Sequence, residues 1–179
     1  EARMFLKNNN VTINGIGVSA TGQIDVNTGT VIGTNGKIPQ YEGSEIKKEM
    51  EHVFGVPTFV LNDANAAVLG ECFVGRAKGK QHVMITLGTG VGGGVVANGK
   101  LLGGTLGIAA ELGHFTLYQN GVTCSCGKHG CYETYAATTA LVRRVYEKTN
   151  IKMSGLTIFE GIKSGDKALE QIADQWIED

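Results

Sequence analysis

Hydrophobic positions along this chain keep two different periods, and each change of period marks an element. From Val11 to Ser19, β-branched and apolar residues alternate with small and polar ones, which predicts a strand. Residues 22–40 are polar and glycine-rich and read as a loop or short hairpin. Between Ser44 and Gly55, Ile46, Met50, Val53 and Phe54 recur at helical spacing, with Ser44 placed to cap the helix and Gly55 to stop it. "VPTFVL" (56–61) is a short, continuously apolar strand, and "NDANAAVLGECF" (62–73) a helix opening on Asn62 and Asp63. Strand, helix, strand, helix in this order predicts an α/β protein with a βαβ unit and a parallel strand pair.

The texture changes near Gly75, where "GRAKGK" is charged and punctuated by glycine. This divides the chain into 1–77, part of one lobe, and 78–179, part of a second. "HVMITLGTGVGGGVVANGKLLGG" (82–104) then reads as strand, glycine loop, strand, Asn-Gly turn and strand. "YETYAATTALVRRVYEKT" (132–149) predicts one helix with Leu141, Val142 and Val145 along a single face. Two shorter helical stretches follow, and "EARMFLKNNN" at the start reads as a helix end.

Composition narrows the class. The 179 residues are 42% hydrophobic and carry a net charge of −1, from 16 basic and 17 acidic side chains. No basic stripe suggests nucleic acid, and no apolar run approaches the roughly 20 residues of a membrane span. No secretory leader is visible, so a cytoplasmic setting is expected, where close cysteines read as metal ligands before disulfides. Glycine is abundant, with 27 residues against two prolines. Nearly half of it clusters between Gly88 and Gly130, implying loops that pass close to something.

Three of the four cysteines fall in "CSCGKHGCYE" (124–133). Cys124, Cys126 and Cys131 have C-x-C-x₄-C spacing on a glycine-bearing loop, which suits tetrahedral zinc. A fourth ligand is required. His129 lies inside the knuckle, where a residue between ligands points outward, so His114 in "ELGH" is favoured. Three buried free thiols are the alternative, and Cys72, in the middle of the 62–73 helix, reads as an ordinary core residue. Glu111 and His114, at i and i+3, share a helix face. If the metal draws His114 to the start of the Glu133 helix, then Glu111, His114 and Glu133 form a small acidic pocket for a polyhydroxylated ligand. Solvated acids at helix ends are the equal alternative.

"GTGVGGG" contains G-x-G-x-x-G at Gly88, Gly90 and Gly93. A strand follows it rather than a helix, so it is not a dinucleotide fingerprint. A strand–turn–strand of this kind can still aim backbone N–H groups at phosphates. Asn62 and Asp63 follow a strand whose carboxyl end is a favoured ligand address in open α/β sheets. Asp63 is there a candidate general base or simply a helix cap.

"LNDANAAVLGE", "ITLGTGVGGGVVANGKLLGG", "ELGH" and "CSCGKHGCYE", in this order from about Ile16 onward, resemble the ROK family of sugar kinases and related repressors. The resemblance implies the actin-like, ribonuclease-H-like two-lobed ATPase fold. It implies Asp63 as general base on a sugar hydroxyl, and Asn62, Asp63, Glu111, His114 and Glu133 as sugar ligands. It makes His114, Cys124, Cys126 and Cys131 the ligands of a structural Zn²⁺. The loop Gly88–Gly94, with Gly88, Thr89, Gly90, Gly92 and Gly93, becomes the second phosphate loop for ATP with Mg²⁺. The implied activity is ATP-dependent phosphorylation of a hexose, glucose first, with N-acetylmannosamine or N-acetylglucosamine as alternatives. A sugar-responsive repressor, with an N-terminal helix-turn-helix binding DNA, is the reading from another class. A homodimer is the implied assembly. The sequence departs from the family pattern at Thr21-Gly22, where Pro-Gly is usual, and at Ala110, where Gly is usual. The family's N-terminal Asp-x-Gly-Gly-Thr loop and its C-terminal segment have no counterpart here. The expectation is therefore a fragment, inactive in isolation.

Overall fold

The computed structural model describes residues 1–34, 36, 38–75, 79–105 and 107–178. The division expected at 77/78 lies outside the described residues. The chain forms two compact units, each made of two segments: 1–82 with 95–109, and 83–94 with 110–179.

In the first unit an exposed helix α1 (Ala2–Asn8) precedes β1 (Ile16–Ala20). The strand begins later than the alternation from Val11 suggests. An N–H of Val11 donates to the carbonyl of Leu6, so the residues after α1 close that helix instead. β2 (Gln23–Asp25) and β3 (Thr30–Gly33) form the short antiparallel hairpin. α2 (Ile46–Phe54) ends, as expected, at Gly55, whose φ of 69° is the left-handed conformation that suits glycine. Its N-cap is Glu45 and not Ser44, and no side chain caps it. The Ser44 carbonyl accepts the Val31 N–H and Glu45 bridges Thr30, so β3 fixes this helix start.

β4 (Thr58–Asn62) pairs parallel with β1, from Ile16 opposite Thr58 to Ala20 opposite Asn62. The two strands therefore end side by side. Ala20, Ile24, Val31 and Val60 are buried beneath them, with Ile46 of α2 packed on the cluster. α3 (Asp63–Phe73) leaves the end of β4 directly.

β5 (His82–Leu87), β6 (Val91–Ala97) and β7 (Lys100–Leu101) are neighbours in that order. Asn98 (φ 54°) and Gly99 (φ 75°) make the tight turn between β6 and β7 that the Asn-Gly pair predicts.

The second unit is helical beyond the cysteine loop. The single helix expected over 132–149 is two helices, α4 (Glu133–Ala136) and α5 (Thr138–Thr149). Ala137 between them is extended, with ψ 155°. Ala is the best helix former, so the break has no local cause. It arises because the N–H of Thr138 donates 2.9 Å to the carbonyl of Gly88 and Ala137 is fully buried. α6 (Gly155–Lys163) is capped by Ser154, and α7 (Lys167–Glu178) by Asp166, whose Oδ1 accepts from Ala168 and Leu169. Leu141 and Val145 of α5, Ile158 of α6 and Leu169, Ile172 and Ala173 of α7 form the core of this unit. Each large apolar side chain buried there contributes roughly 1.5–3 kcal/mol. No described helix is long and apolar enough to cross a membrane.

Candidate functional site

In the first unit the candidate residues lie at the carboxyl ends of two parallel strands. Asn62 is the N-cap of α3: its Oδ1 accepts from the N–H of Ala64 at 3.0 Å and of Asn65 at 3.3 Å. Its Nδ2 donates 3.0 Å to the carbonyl of Gly22, in the turn that follows β1. Gly22 has φ 88°, and a Cβ there would run into the carbonyl oxygen of Gly33. The departure at Thr21-Gly22 is therefore confined to Thr21, and the glycine that the turn requires is kept. Asp63 is exposed on the first turn of α3, its Oδ1 accepting from Ala64 at 2.8 Å.

In the second unit, His114, Cys124, Cys126 and Cys131 come together. One ligand atom from each lies within 4.8 Å of all the others. His114 Nδ1 is 3.5 Å from Cys124 Sγ, and Cys126 Sγ is 3.6 Å from Cys131 Sγ. Zinc bonded at about 2.3 Å to sulfur and 2.0–2.1 Å to nitrogen sets tetrahedral ligand atoms roughly 3.5–3.8 Å apart. The donor set and its spacing fit such a metal. His129 stays out of the cluster, with its Nδ1 3.4 Å from Thr123 Oγ1.

Local sequence builds this cluster. Cys124 donates its N–H to the Lys128 carbonyl at 2.8 Å and accepts from Gly127 at 3.0 Å, closing a knuckle around the first two cysteines. Gly130 has φ 71°, and a side chain on it would collide with the carbonyl of Tyr118. Stacked Phe115 and Tyr132 flank the knuckle, with ring centres 5.2 Å apart. Tyr135 packs edge-on against Tyr118 and its hydroxyl accepts the Val122 N–H at 2.9 Å.

Thiol acidity is uneven across the cluster. Burial, then the neighbouring Cys126 and Cys124, push the Cys131 thiol up to about 12. Cys126 is also raised by burial, but the Lys128 N–H, the neighbouring thiols and the Lys128 charge outweigh this and hold it below the ordinary thiol value. Three crowded thiolates need a cation among them, which is what a metal supplies.

Glu111 and His114 flank a single 3₁₀ turn, Leu112–His114, and not the α-helix face expected for "ELGH". The tight turn still leaves His114 Nε2 4.0 Å from Glu111 Oε2, on the ring edge opposite the cysteines. Gly113 and Gly93 let the turn approach β6: a Cβ on Gly113 would meet the Val91 carbonyl, and one on Gly93 the Ala110 carbonyl and Leu112. Ala110 itself has φ 65°.

Glu133, first residue of α4, reaches the glycine loop. Its Oε2 accepts the Val91 N–H at 2.9 Å, and a Cβ on Gly90 would strike that carboxylate. The loop is closed by Gly88 N–H donating 3.0 Å to the Gly90 carbonyl. Two contacts that the sequence does not announce come from the start of α5. Thr138 N–H donates to the Gly88 carbonyl, and Thr139 Oγ1 donates 2.9 Å to the Thr89 carbonyl. Their only trace in the sequence is a Thr-Thr pair where a helix was already expected. Cys72 is half-buried on α3 and outside the metal cluster.

Comparison with known proteins identifies the family. The ROK family profile matches residues 4–178. The glucokinase of Thermotoga maritima is 35% identical over 178 residues, covering 91% of this chain and 56% of that protein. The xylose repressor of Bacillus spizizenii is 37% identical over 135 residues, covering 75% of this chain and 34% of the repressor. The crystal structure of a ROK family glucokinase from Streptomyces griseus, in complex with glucose and AMPPNP, superposes with a TM-score of 0.78 at 33% identity, over 90% of this chain and 57% of that one. The chain thus spans about half the length of the relatives it matches. With its α/β architecture and motif order, the chain belongs to the ROK family and carries part of that family's actin-like, ribonuclease-H-like ATPase fold.

Proposed function

We propose that the protein of which this chain forms part transfers the γ-phosphoryl group of ATP to a hexose hydroxyl, glucose first. Asp63 is the general base. Asn62, Glu111, His114 and Glu133 bind the sugar, and the Gly88–Gly94 segment, a turn that runs into β6, receives the nucleotide phosphates. The observation that carries this reading is the division of labour at the end of β4. Asn62 supplies the helix cap at Ala64 and Asn65, and Asp63 shares only the Ala64 N–H, through one carboxylate oxygen. The Asp63 carboxylate is exposed, and its Oδ2 takes no hydrogen bond among the described residues. A carboxylate so placed can take a hydroxyl proton as phosphoryl transfer proceeds. The kinase relatives support the same reaction class.

Phosphoryl transfer depends on positioning and charge stabilisation. Mg²⁺ would neutralise the phosphates. Zn²⁺ on His114, Cys124, Cys126 and Cys131 would tie the 3₁₀ turn bearing Glu111 to the knuckle that leads into Glu133. The chain's own residues do the rest: Asp63 accepts the proton, and the glycine loop offers N–H donors.

The test is the full-length protein with ATP and magnesium against glucose, mannose, N-acetylmannosamine and N-acetylglucosamine, following ADP release. Asp63→Asn should lower turnover by roughly 10²–10⁴ while changing sugar affinity far less. Near-normal turnover in that variant would remove Asp63 from the chemistry. The xylose repressor likeness favours one second reading, a sugar-responsive regulator. It predicts sugar binding without ADP release.

A further inference from the structure

The glycine loop is held from outside by the corner between α4 and α5. In a trans peptide the C=O and the following N–H point to opposite sides, and no cis peptide is present among the described residues. The Gly88 carbonyl is bound by the Thr138 N–H and the Thr89 carbonyl by the Thr139 hydroxyl. Both carbonyls therefore face α5. The N–H groups of the same two peptides, those of Thr89 and Gly90, must face away from it. Neither finds a hydrogen-bond partner among the described residues. The next N–H, that of Val91, is already taken by Glu133. Two successive, outward-facing N–H groups remain, and such a pair makes a concavity suited to an anion.

Of the three contacts, two have other reasons to exist. The Thr138 N–H is an orphan donor of a helix start that any residue but proline would supply. Glu133 belongs to the sugar pocket in the reading above. The Thr139 hydroxyl has no such second role. Thr139 is exposed and contributes nothing to the core, so its bond to the Thr89 carbonyl is the informative one.

We propose that Thr139 is a positioning residue: its hydroxyl fixes the Thr89–Gly90 peptide so that the Thr89 and Gly90 N–H groups stay aimed at the nucleotide phosphates. It acts through the loop and touches neither sugar nor reacting atoms. This rests on the reading of Gly88–Gly94 as a phosphate loop.

The variants are Thr139→Val, which keeps the shape and removes the donor, and Thr139→Ser, which restores it. Both are made in the full-length protein. A lost hydrogen bond of ordinary strength predicts a KM for ATP raised roughly three- to tenfold in Thr139→Val. The KM for the sugar should hold within about twofold, and the melting temperature should fall by no more than about 2 °C. Thr139→Ser should return ATP KM to the wild-type value. Amide exchange in the 83–94 segment should quicken in Thr139→Val and recover in Thr139→Ser, whatever the activity. Unchanged exchange would overturn the bracket. Faster exchange with an unchanged ATP KM would overturn the link to phosphate binding. Equal shifts in both KM values with a larger fall in melting temperature would make Thr139 merely structural and also overturn the proposal. Wild-type protein that binds sugar but releases no ADP would instead refute the kinase reading, and exchange together with binding of a fluorescent ATP analogue would then decide the bracket.

Discussion

Ala110→Gly should stabilise the protein, although it removes a side chain. Ala110 has φ 65°, in the left-handed region, where a Cβ costs about 1–2 kcal/mol. The backbone has little room to escape it. The Ala110 carbonyl accepts the Leu112 N–H at 2.7 Å and lies where a Cβ on Gly93 would go. Against the relief stand two losses. Glycine has more freedom to surrender on folding, roughly 0.5–1 kcal/mol, and a half-buried methyl contributes about 0.3–0.4 kcal/mol. The balance is a gain of about 0.5 kcal/mol. Ala109→Gly is the control, because Ala109 has no positive φ to relieve. It should destabilise by roughly 0.5–1 kcal/mol, so the neighbouring variants should move in opposite directions. The assay is urea unfolding of the full-length, metal-loaded protein at fixed metal concentration. A fall in stability for Ala110→Gly, or the same sign for both variants, would refute the strain argument.

Metal content and its pH dependence give the other tests. Dialysed protein should hold one zinc per chain, lost in His114→Ala and kept in His129→Ala, by elemental analysis; retention in the first or loss in the second would exchange the histidine ligands. Zinc affinity should rise with pH, because the metal must expel thiol protons, Cys131 holding its own up to about 12 and Cys126 yielding its own more easily. Titration against a competing chelator should release roughly two to three protons per metal. In chelated protein the sign at high pH reverses. The unfolded Cys131 thiol ionises near its ordinary 9.0 while the folded one stays protonated, so the folded state binds more protons and stability falls above that pH. Metal-loaded protein, whose thiolates are already formed, should not show that fall.

What the sequence makes legible here is local, and what it hides is the contact made over a long separation. The β5–turn–β6–turn–β7 order could be read because Asn98-Gly99 dictates its own turn. The end of α2 could be read because Gly55 accepts the left-handed conformation. The C-x-C-x₄-C knuckle could be read because its three cysteines lie within seven positions of one another. Ser44 misleads because its helix start is fixed by β3, and Ala137 because a strong helix former is bent by a carbonyl in the glycine loop. Ala110 gives no sign of strain in its identity; only the approach of the 3₁₀ turn to Gly93 explains it. The same holds at the candidate site. Cys124, Cys126 and Cys131 are readable as a group, but the Glu133 bond to Val91 joins residues 42 positions apart and the Thr139 bond to Thr89 spans 50. These are the contacts that turn a metal knuckle and a glycine loop from two motifs into one site. A substitution at Glu133 is therefore expected to disturb the loop as well as the proposed sugar pocket, whereas one at Thr139 separates the two.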